Sequence, residues 1–286
     1  MKQVQVKVRV PATTANLGPG FDCLGMALKL YNTITLKLEV SDKISSGMIR
    51  ESADLFFKTI QGKPFSFSTA IQGDVPISRG LGSSVTLRAG VIVGLNRLAG
   101  EPLSQAECLN LVIQLEGHPD NAAPAFFGGF TVATDETILR VPVLSRLKFI
   151  VLIPEIEMET EKARKVLPKT LSFADAVKSE KQAALVAAAL ASQKYELLQN
   201  AFQDRLHQPY RKKLLPILDK VIEAGTKAGA LGGFLSGSGS TMICLSLASE
   251  KINQKIGQAM RQEIKNSNVQ IYFVEADNVG IRITNK

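Results

Sequence analysis

The segment best suited to chemistry is Pro76-Ile-Ser-Arg79-Gly80-Leu81-Gly82-Ser83-Ser84, which stands before an apolar run long enough for a helix. Glycines let the backbone come close to a ligand, a helix N-terminus offers N–H groups without partners, and adjacent hydroxyls can reach a phosphate or its metal. These residue types in this order read as a phosphate cradle. A glycine-rich turn before a helix is in general only a turn, and it is the Ser83-Ser84 pair behind Gly-Leu-Gly that narrows the reading. The segment is neither a Gly-x4-Gly-Lys-Ser/Thr loop nor a dinucleotide-binding fingerprint.

Other polar clusters stand elsewhere in the chain. A loop from Pro11 to Asp22 carries Thr-Thr-Ala-Asn16-Leu-Gly-Pro-Gly-Phe-Asp22, dense in turn formers and short polar side chains, which suits a ligand-facing loop. Further on come Glu116-Gly-His118-Pro-Asp120-Asn121, Thr160-Glu-Lys-Ala-Arg164, Asp204-Arg-Leu-His207-Gln-Pro-Tyr-Arg211 and Leu235-Ser-Gly237-Ser-Gly239-Ser240-Thr241. His118 invites a general-base role, but a histidine beside a proline in a loop is more often a hydrogen-bonding group, so structure or substrate contact is favoured. His207 reads as structural. Taken alone, Ser84 and Glu116 would be a serine at a helix start and a solvated glutamate.

The elements that must position these residues follow from periodicity. Residues 4–10 alternate strictly and predict a half-buried strand ending at Pro11, and residues 30–40 a second. Helical spacing follows at 48–61, a strand at 64–72, then a loop into the cradle, with Ser83 placed as the N-cap of a mostly buried helix over 85–99. A helix over 103–115 and strands over 127–133 and 148–153 complete the first half. The second half predicts long helices over 180–192 and 209–228, then strand, glycine loop, strand and a helix through Arg261, with a last strand over 269–274. A domain boundary is placed near 142–148, giving units 1–145 and 146–286.

Composition bounds the rest. At 286 residues the chain is long for one compact core. A formal charge of +8 fits a protein that handles anions such as ATP, or one that binds nucleic acid. The basic residues are scattered and no Trp is present, so nucleic acid is the second choice. Cys23, Cys108 and Cys244 are odd in number and set among apolar residues, which predicts buried thiols rather than disulfides or zinc. The alternating start and the lack of a long apolar run predict a cytosolic chain without membrane partners.

The cradle resembles the Pro-x3-Gly-Leu-Gly-Ser-Ser motif of the GHMP kinases, named for galactokinase, homoserine kinase, mevalonate kinase and phosphomevalonate kinase. The 11–22, 116–124 and 204–211 segments are similar to stretches of its homoserine kinase branch, and the 235–241 segment resembles the family's third glycine loop, all in the expected order. That resemblance implies an α+β two-domain architecture: a ribosomal-protein-S5-like first domain with a left-handed βαβ crossover, and a ferredoxin-like second. It implies phosphorylation of the homoserine hydroxyl by ATP with Mg²⁺, in threonine biosynthesis, at a site between the domains. Other acceptors, of the mevalonate or sugar type, and a non-catalytic binding relative remain as alternatives, and a homodimer is left open.

The resemblance also assigns residues. Pro76, Arg79, Gly80, Leu81, Gly82, Ser83, Ser84, Gly237 and Gly239 would bind nucleotide, and Ser84 and Glu116 would hold Mg²⁺. Asn16 and Asp22 are suited to the substrate ammonium, and Arg164 and Arg211 to its carboxylate through the forked donors of Arg; His118 would touch substrate. Asn121, Asp120 and Arg164 would serve catalysis. Asn121 stands where other branches have an Asp thought to help deprotonate the acceptor, so the implied mechanism lacks a strong protein base, with Asp120 the exception to consider.

The chain departs from the family pattern in places. Arg88 stands in the helix behind the cradle where small residues are usual, and is expected to point to solvent or a domain edge. Ser240 replaces a usual Pro, which should leave its turn less restrained. The linker at residues 41–47 is short beside homoserine kinases, in which a longer loop precedes an Asn-led helix that helps hold adenine.

Overall fold

The computed structural model describes residues 4–39, 47–265 and 268–284. The short linker ahead of Gly47 therefore lies almost wholly outside the described residues.

Strand β1 (Gln5–Ala15) turns Val6, Val8 and Val10 inward, as the alternation predicts, but it does not stop at Pro11. Its pairing with β2 (Leu24–Leu38) slips at Pro11/Ala12 and runs on to Ala15↔Gly25. A bulge accommodates a residue that has no N–H to give to the ladder, so the proline bends the strand instead of ending it. The continuation carries Thr13 and Thr14 into the protein interior.

Helix α1 (Met48–Thr59) leads to β3 (Phe67–Gly73), which pairs with the far half of β2. Helices α2 (Ser83–Leu98), α3 (Gln105–Glu116) and α4 (Ala122–Phe127) follow, and β4 (Phe130–Ala133) pairs with the near half of β2. A short β5 (Ile138–Val141), which periodicity did not reveal, adds to β4. Then come β6 (Lys148–Pro154), α5 (Thr160–Lys165), α6 (Phe173–Ala191) and a 3-10 turn (Tyr195–Leu198).

The single helix expected over 209–228 is two, α7 (Gln208–Arg211) and α8 (Leu218–Lys227). Pro216 lies between them, and proline disfavours helical geometry at the residue before it. The chain continues through β7 (Gly232–Leu235), β8 (Met242–Ser246), α9 (Glu250–Gln262), β9 (Val269–Val274) and β10 (Arg282–Ile283).

The strands form two antiparallel sheets, β10-β1-β2-β4-β5 with β3 also on β2, and β7-β8-β6-β9. The last strand thus returns to the first sheet, where Arg282 pairs with Arg9. Strand β6 shows how the layers are made. Phe149, Val151 and Ile153 face a core shared with Met26 and Leu28 of β2 and Leu190 of α6, whereas Ile150 and Leu152 face Val221 of α8 and Ile256 and Met260 of α9. Burial on both faces is why this strand reads as a continuous apolar run. A further core lies between β1 and β2 and the helices α1 to α4. Antiparallel sheets covered by helices are the α+β arrangement that the sequence predicts. Cys108 and Cys244 are buried free thiols, pushed up by burial to about 11 and about 12, while Cys23 is half-buried.

Candidate active site

The glycine loops meet because glycines let their backbones touch. A Cβ on Gly80 would sit 2.2 Å from the Ser236 carbonyl oxygen, and one on Gly82 would sit 2.1 Å from Thr13 Oγ1; both glycines have positive φ. Thr13 N–H donates to the Leu81 carbonyl, Thr241 N–H to that of Arg79, and Gly237 N–H to that of Ala15. Ser236 Oγ donates to the Gly80 carbonyl at 2.6 Å. The cradle is therefore stitched to the end of β1 and to the 235–241 loop.

At the start of α2 the N-cap is Gly82 rather than Ser83, in a left-handed conformation, and no side chain caps the helix. The first N–H groups of the helix have no intrahelical partner, and the first turn holds no acidic residue that would repel an anion. One residue on, Ser84 Oγ donates to Glu116 Oε2 at 2.9 Å, bringing a hydroxyl and a carboxylate to one point. Burial pushes the Glu116 carboxyl up, while Ser84 and then Arg88 hold it down. Oxygen donors of this kind suit a hard divalent cation such as Mg²⁺, which keeps water and phosphate oxygens as its other ligands.

These groups line a cavity of about 550 Å³ whose wall also includes Asp22, His118, Asp120, Asn121, Arg164 and Arg211. Arg164 Nη1 and Nη2 donate to the two oxygens of Asp22 at 3.0 and 2.8 Å, a bidentate pair. Arg211 is 2% exposed, and its Nε and Nη1 donate to the carbonyls of Ala163 and Gly237 and to His207 Nδ1. Burial lowers its pKa to about 10, and the like charge of Arg164 works the same way. Both guanidinium groups lie near the Phe21 ring, Arg164 at 5.5 Å and Arg211 at 5.2 Å from its centre.

His207 stacks on the same Phe21 ring and is buried. Its Nε2 bonds the Gly18 carbonyl at 2.7 Å while Nδ1 accepts from Arg211, a pattern that only a neutral ring with hydrogen on Nε2 can make. Burial agrees, pushing its pKa down to about 4. The structural role read for His207 holds: it props Arg211.

His118 and Asp120 form a pair at 2.6 Å between Nδ1 and Oδ1. Burial disfavours the charged ring of His118, but the hydrogen bond and charge of Asp120 outweigh it and raise the pKa. Asn121 accepts from Thr13 Oγ1 at 2.7 Å through Oδ1, and its Nδ2 donates one hydrogen toward Asp120 Oδ1 at 3.5 Å, leaving the other for a further acceptor. This segment lies against β2 at Gly25, where a Cβ would come 1.9 Å from the Asp120 carbonyl oxygen.

Several expectations change in detail. The Leu81 side chain is fully buried in the core, and Pro76 and Gly239 do not line the cavity, whereas Arg79, Gly80, Gly82, Ser83, Ser84 and Gly237 do. Arg79 also ties its loop to the end of β6 through the Pro154 carbonyl. Asn16 reaches the wall, but its Oδ1 accepts from Asp22 N–H and its Nδ2 donates to the Gly237 carbonyl, so its amide holds the loop that carries Asp22. Asp22 and Arg164, assigned to opposite ends of a substrate, are joined to each other. Ser240 is buried and donates its hydroxyl to the Ile156 carbonyl, so a side-chain bond tethers the turn where proline is usual. Arg88 does not point to solvent; it lines the cavity. Phe21 was missed, although its place between Gly20 and Asp22 in a polar loop was the available signal.

Comparison with known proteins follows this geometry. The family models described as GHMP kinases N terminal domain and GHMP kinases C terminal match residues 47–129 and 182–266. A homoserine kinase of Caldicellulosiruptor bescii is 39% identical, with 97% of this chain and 96% of that one covered. One of Microchaete diplosiphon is 42% identical over 90% and 89% of the two chains. Among solved structures, a homoserine kinase of Cytophaga hutchinsonii superposes with a TM-score of 0.89 at 27% identity, covering 99% and 98%. The mevalonate kinase of Methanococcus jannaschii, at 17% identity and a TM-score of 0.72, shares the fold. Similarity at this level over nearly the whole length, together with both domain matches, means that the chain belongs to the GHMP kinases and, within them, to the homoserine kinases.

Proposed function

We propose that the chain transfers the γ-phosphoryl group of ATP to the side-chain hydroxyl of L-homoserine, supplying O-phosphohomoserine for threonine biosynthesis. The observation that carries this is one cavity with two chemically different ends. An uncapped helix N-terminus with Ser84 and Glu116 stands at one, and Asp22, Arg164 and the buried Arg211 at the other.

The N–H groups at the start of α2 and the glycine loop receive the nucleotide phosphates. Ser84 and Glu116 would hold Mg²⁺, which supplies charge neutralisation at the phosphate oxygens. At the other end Asp22 takes the ammonium of the amino acid, and Arg164 and Arg211 take its carboxylate. A zwitterion suits this place because it replaces the Asp22–Arg164 pair with two new pairs and leaves neither residue without an opposite charge. An acceptor with only a carboxylate would strand Asp22.

Asn121, whose Oδ1 is taken by Thr13, offers its amide N–H to the acceptor oxygen. Asp120 is 2% exposed and engaged by His118, so it is not a free carboxylate ready to act as a base. The hydroxyl proton passes to a phosphate oxygen or water, and catalysis comes from positioning and electrostatics. Residues 1–145 and 146–286 are the units we assign to the two domains, with β10 returning from the second to pair with β1 in the first.

The test is ADP release with ATP and Mg²⁺ against homoserine, mevalonate and galactose. Turnover with homoserine alone is expected, and equal or better turnover with either other acceptor would overturn the assignment.

A further inference from the structure

Arg88 belongs to no part of this scheme, yet it is one of the least exposed charges at the phosphate end, with 12% of its side chain accessible. It follows Ser84 by one helical turn on α2, so both side chains project from the same face. Its guanidinium is enclosed on three sides. Nη2 donates to Glu51 of α1 at 3.0 Å, Nη1 donates to the Leu115 carbonyl at the end of α3, and Nε lies 3.2 Å from Glu116 Oε1. The last contact is one of charge, since the Nε–H is not aligned for a hydrogen bond.

We propose that Arg88 is a positioning residue for the Glu116 carboxylate, setting which of its oxygens faces Ser84. With Nη1 bonded toward α3 and Nη2 toward α1, it is the Nε edge of the guanidinium that faces Glu116. One carboxylate oxygen is drawn there, and the other is turned to Ser84 Oγ. A rigid planar fork fixes such an arrangement, and a flexible ammonium does not. Because Glu51 holds the far side of the fork, α1 takes part in orienting the carboxylate. This inference rests on the proposed role of Ser84 and Glu116 as the metal site.

The experiment is Mn²⁺ binding to the enzyme–ADP complex, followed by water-proton relaxation without turnover, beside kcat for homoserine and the melting temperature. Partners that orient a metal ligand typically contribute about 10- to 100-fold in affinity or activity. Arg88→Met is expected to weaken Mn²⁺ binding and lower kcat within that range. Arg88→Lys should restore only part of both, and Glu51→Gln should shift both in the same direction by less. Two results would overturn the proposal: a lowered melting temperature with unchanged Mn²⁺ binding, which makes Arg88 a brace, and tighter Mn²⁺ binding, which makes it a competitor for the carboxylate. Should Arg88→Met fail to fold, Arg88→Lys and Glu51→Gln decide by the same readouts. Mn²⁺ binding does not depend on the acceptor, so a failure of homoserine to react leaves this test intact.

Discussion

The two ends of the cavity are built from different material. The end proposed for the phosphates is mainly backbone: positive-φ glycines, the unpaired N–H groups of α2 and loops that bond one another through carbonyls. Its cradle is a short contiguous segment. The end proposed for the acceptor is made of charged side chains, Asp22, Arg164 and Arg211, separated along the chain, with both guanidinium groups near the Phe21 ring. Backbone donors have fixed directions and suit phosphates, which every kinase of this kind must hold, whereas side chains can be exchanged to change the acceptor. The comparison predicts that damage at the phosphate end is read in kcat and damage at the acceptor end in the KM for one substrate.

The largest effect belongs to Glu116, the side chain on which the phosphate end most depends. Glu116→Gln keeps the shape and removes the charge, and kcat at saturating Mg²⁺ should fall by about 10²-fold or more. If steady-state assays find kcat intact, the phosphate end does not rely on this carboxylate.

Next is the acceptor end. Arg164→Ala should raise the KM for homoserine by about 10- to 150-fold, the value of a charge-assisted hydrogen bond of roughly 1.5–3 kcal/mol, with little change in the KM for ATP. The amino alcohol lacking the carboxylate should lose little further in this variant. Arg211→Ala should raise the same KM, but it also strips partners from the Ala163 and Gly237 carbonyls and from His207, so its melting temperature should fall as well. Equal shifts in both KM values would erase the distinction between the ends.

A smaller effect sharpens the claim that the phosphate end is backbone. Gly80→Ala would place a Cβ 2.2 Å from the Ser236 carbonyl at a φ of 76°. Thermal unfolding should register a loss of roughly 1–3 kcal/mol from backbone strain. A variant as stable as the parent would mean that the loops are free to part.

The smallest effect concerns His118, which stands near both ends. Its pKa is raised in the folded protein, so its contribution to stability is fully present below the ordinary histidine value and is lost as pH rises through the raised one. The melting-temperature difference between the parent and His118→Gln should therefore be larger at acidic than at alkaline pH. A difference that grows toward alkaline pH would mean that Asp120 does not hold the charged ring.

The sequence by itself marked out the segment from Gly80 to Ser84, because glycines ahead of a helical run are legible in adjacent residues, although the N-cap proved to be Gly82 and the loop is held by β1 and the 235–241 loop. It also determined the alternation that turns Val6, Val8 and Val10 inward and a strand over 269–274, but that strand is not the last as expected, since β10 (Arg282–Ile283) follows it. It did not foretell the bulge that carries β1 past Pro11, which depends on pairing with β2, and it read one helix over 209–228 although Pro216 was a local signal for the break. Only tertiary structure decided that Asp22 meets Arg164 across 142 positions of chain, that Asn16 is spent on holding a loop, and that Arg88 turns inward to Glu116. A local pattern fixes backbone conformation through sterics and hydrogen bonds a few residues apart. Which charges meet is settled by the packing of sheets and helices, and no spacing within one segment records it.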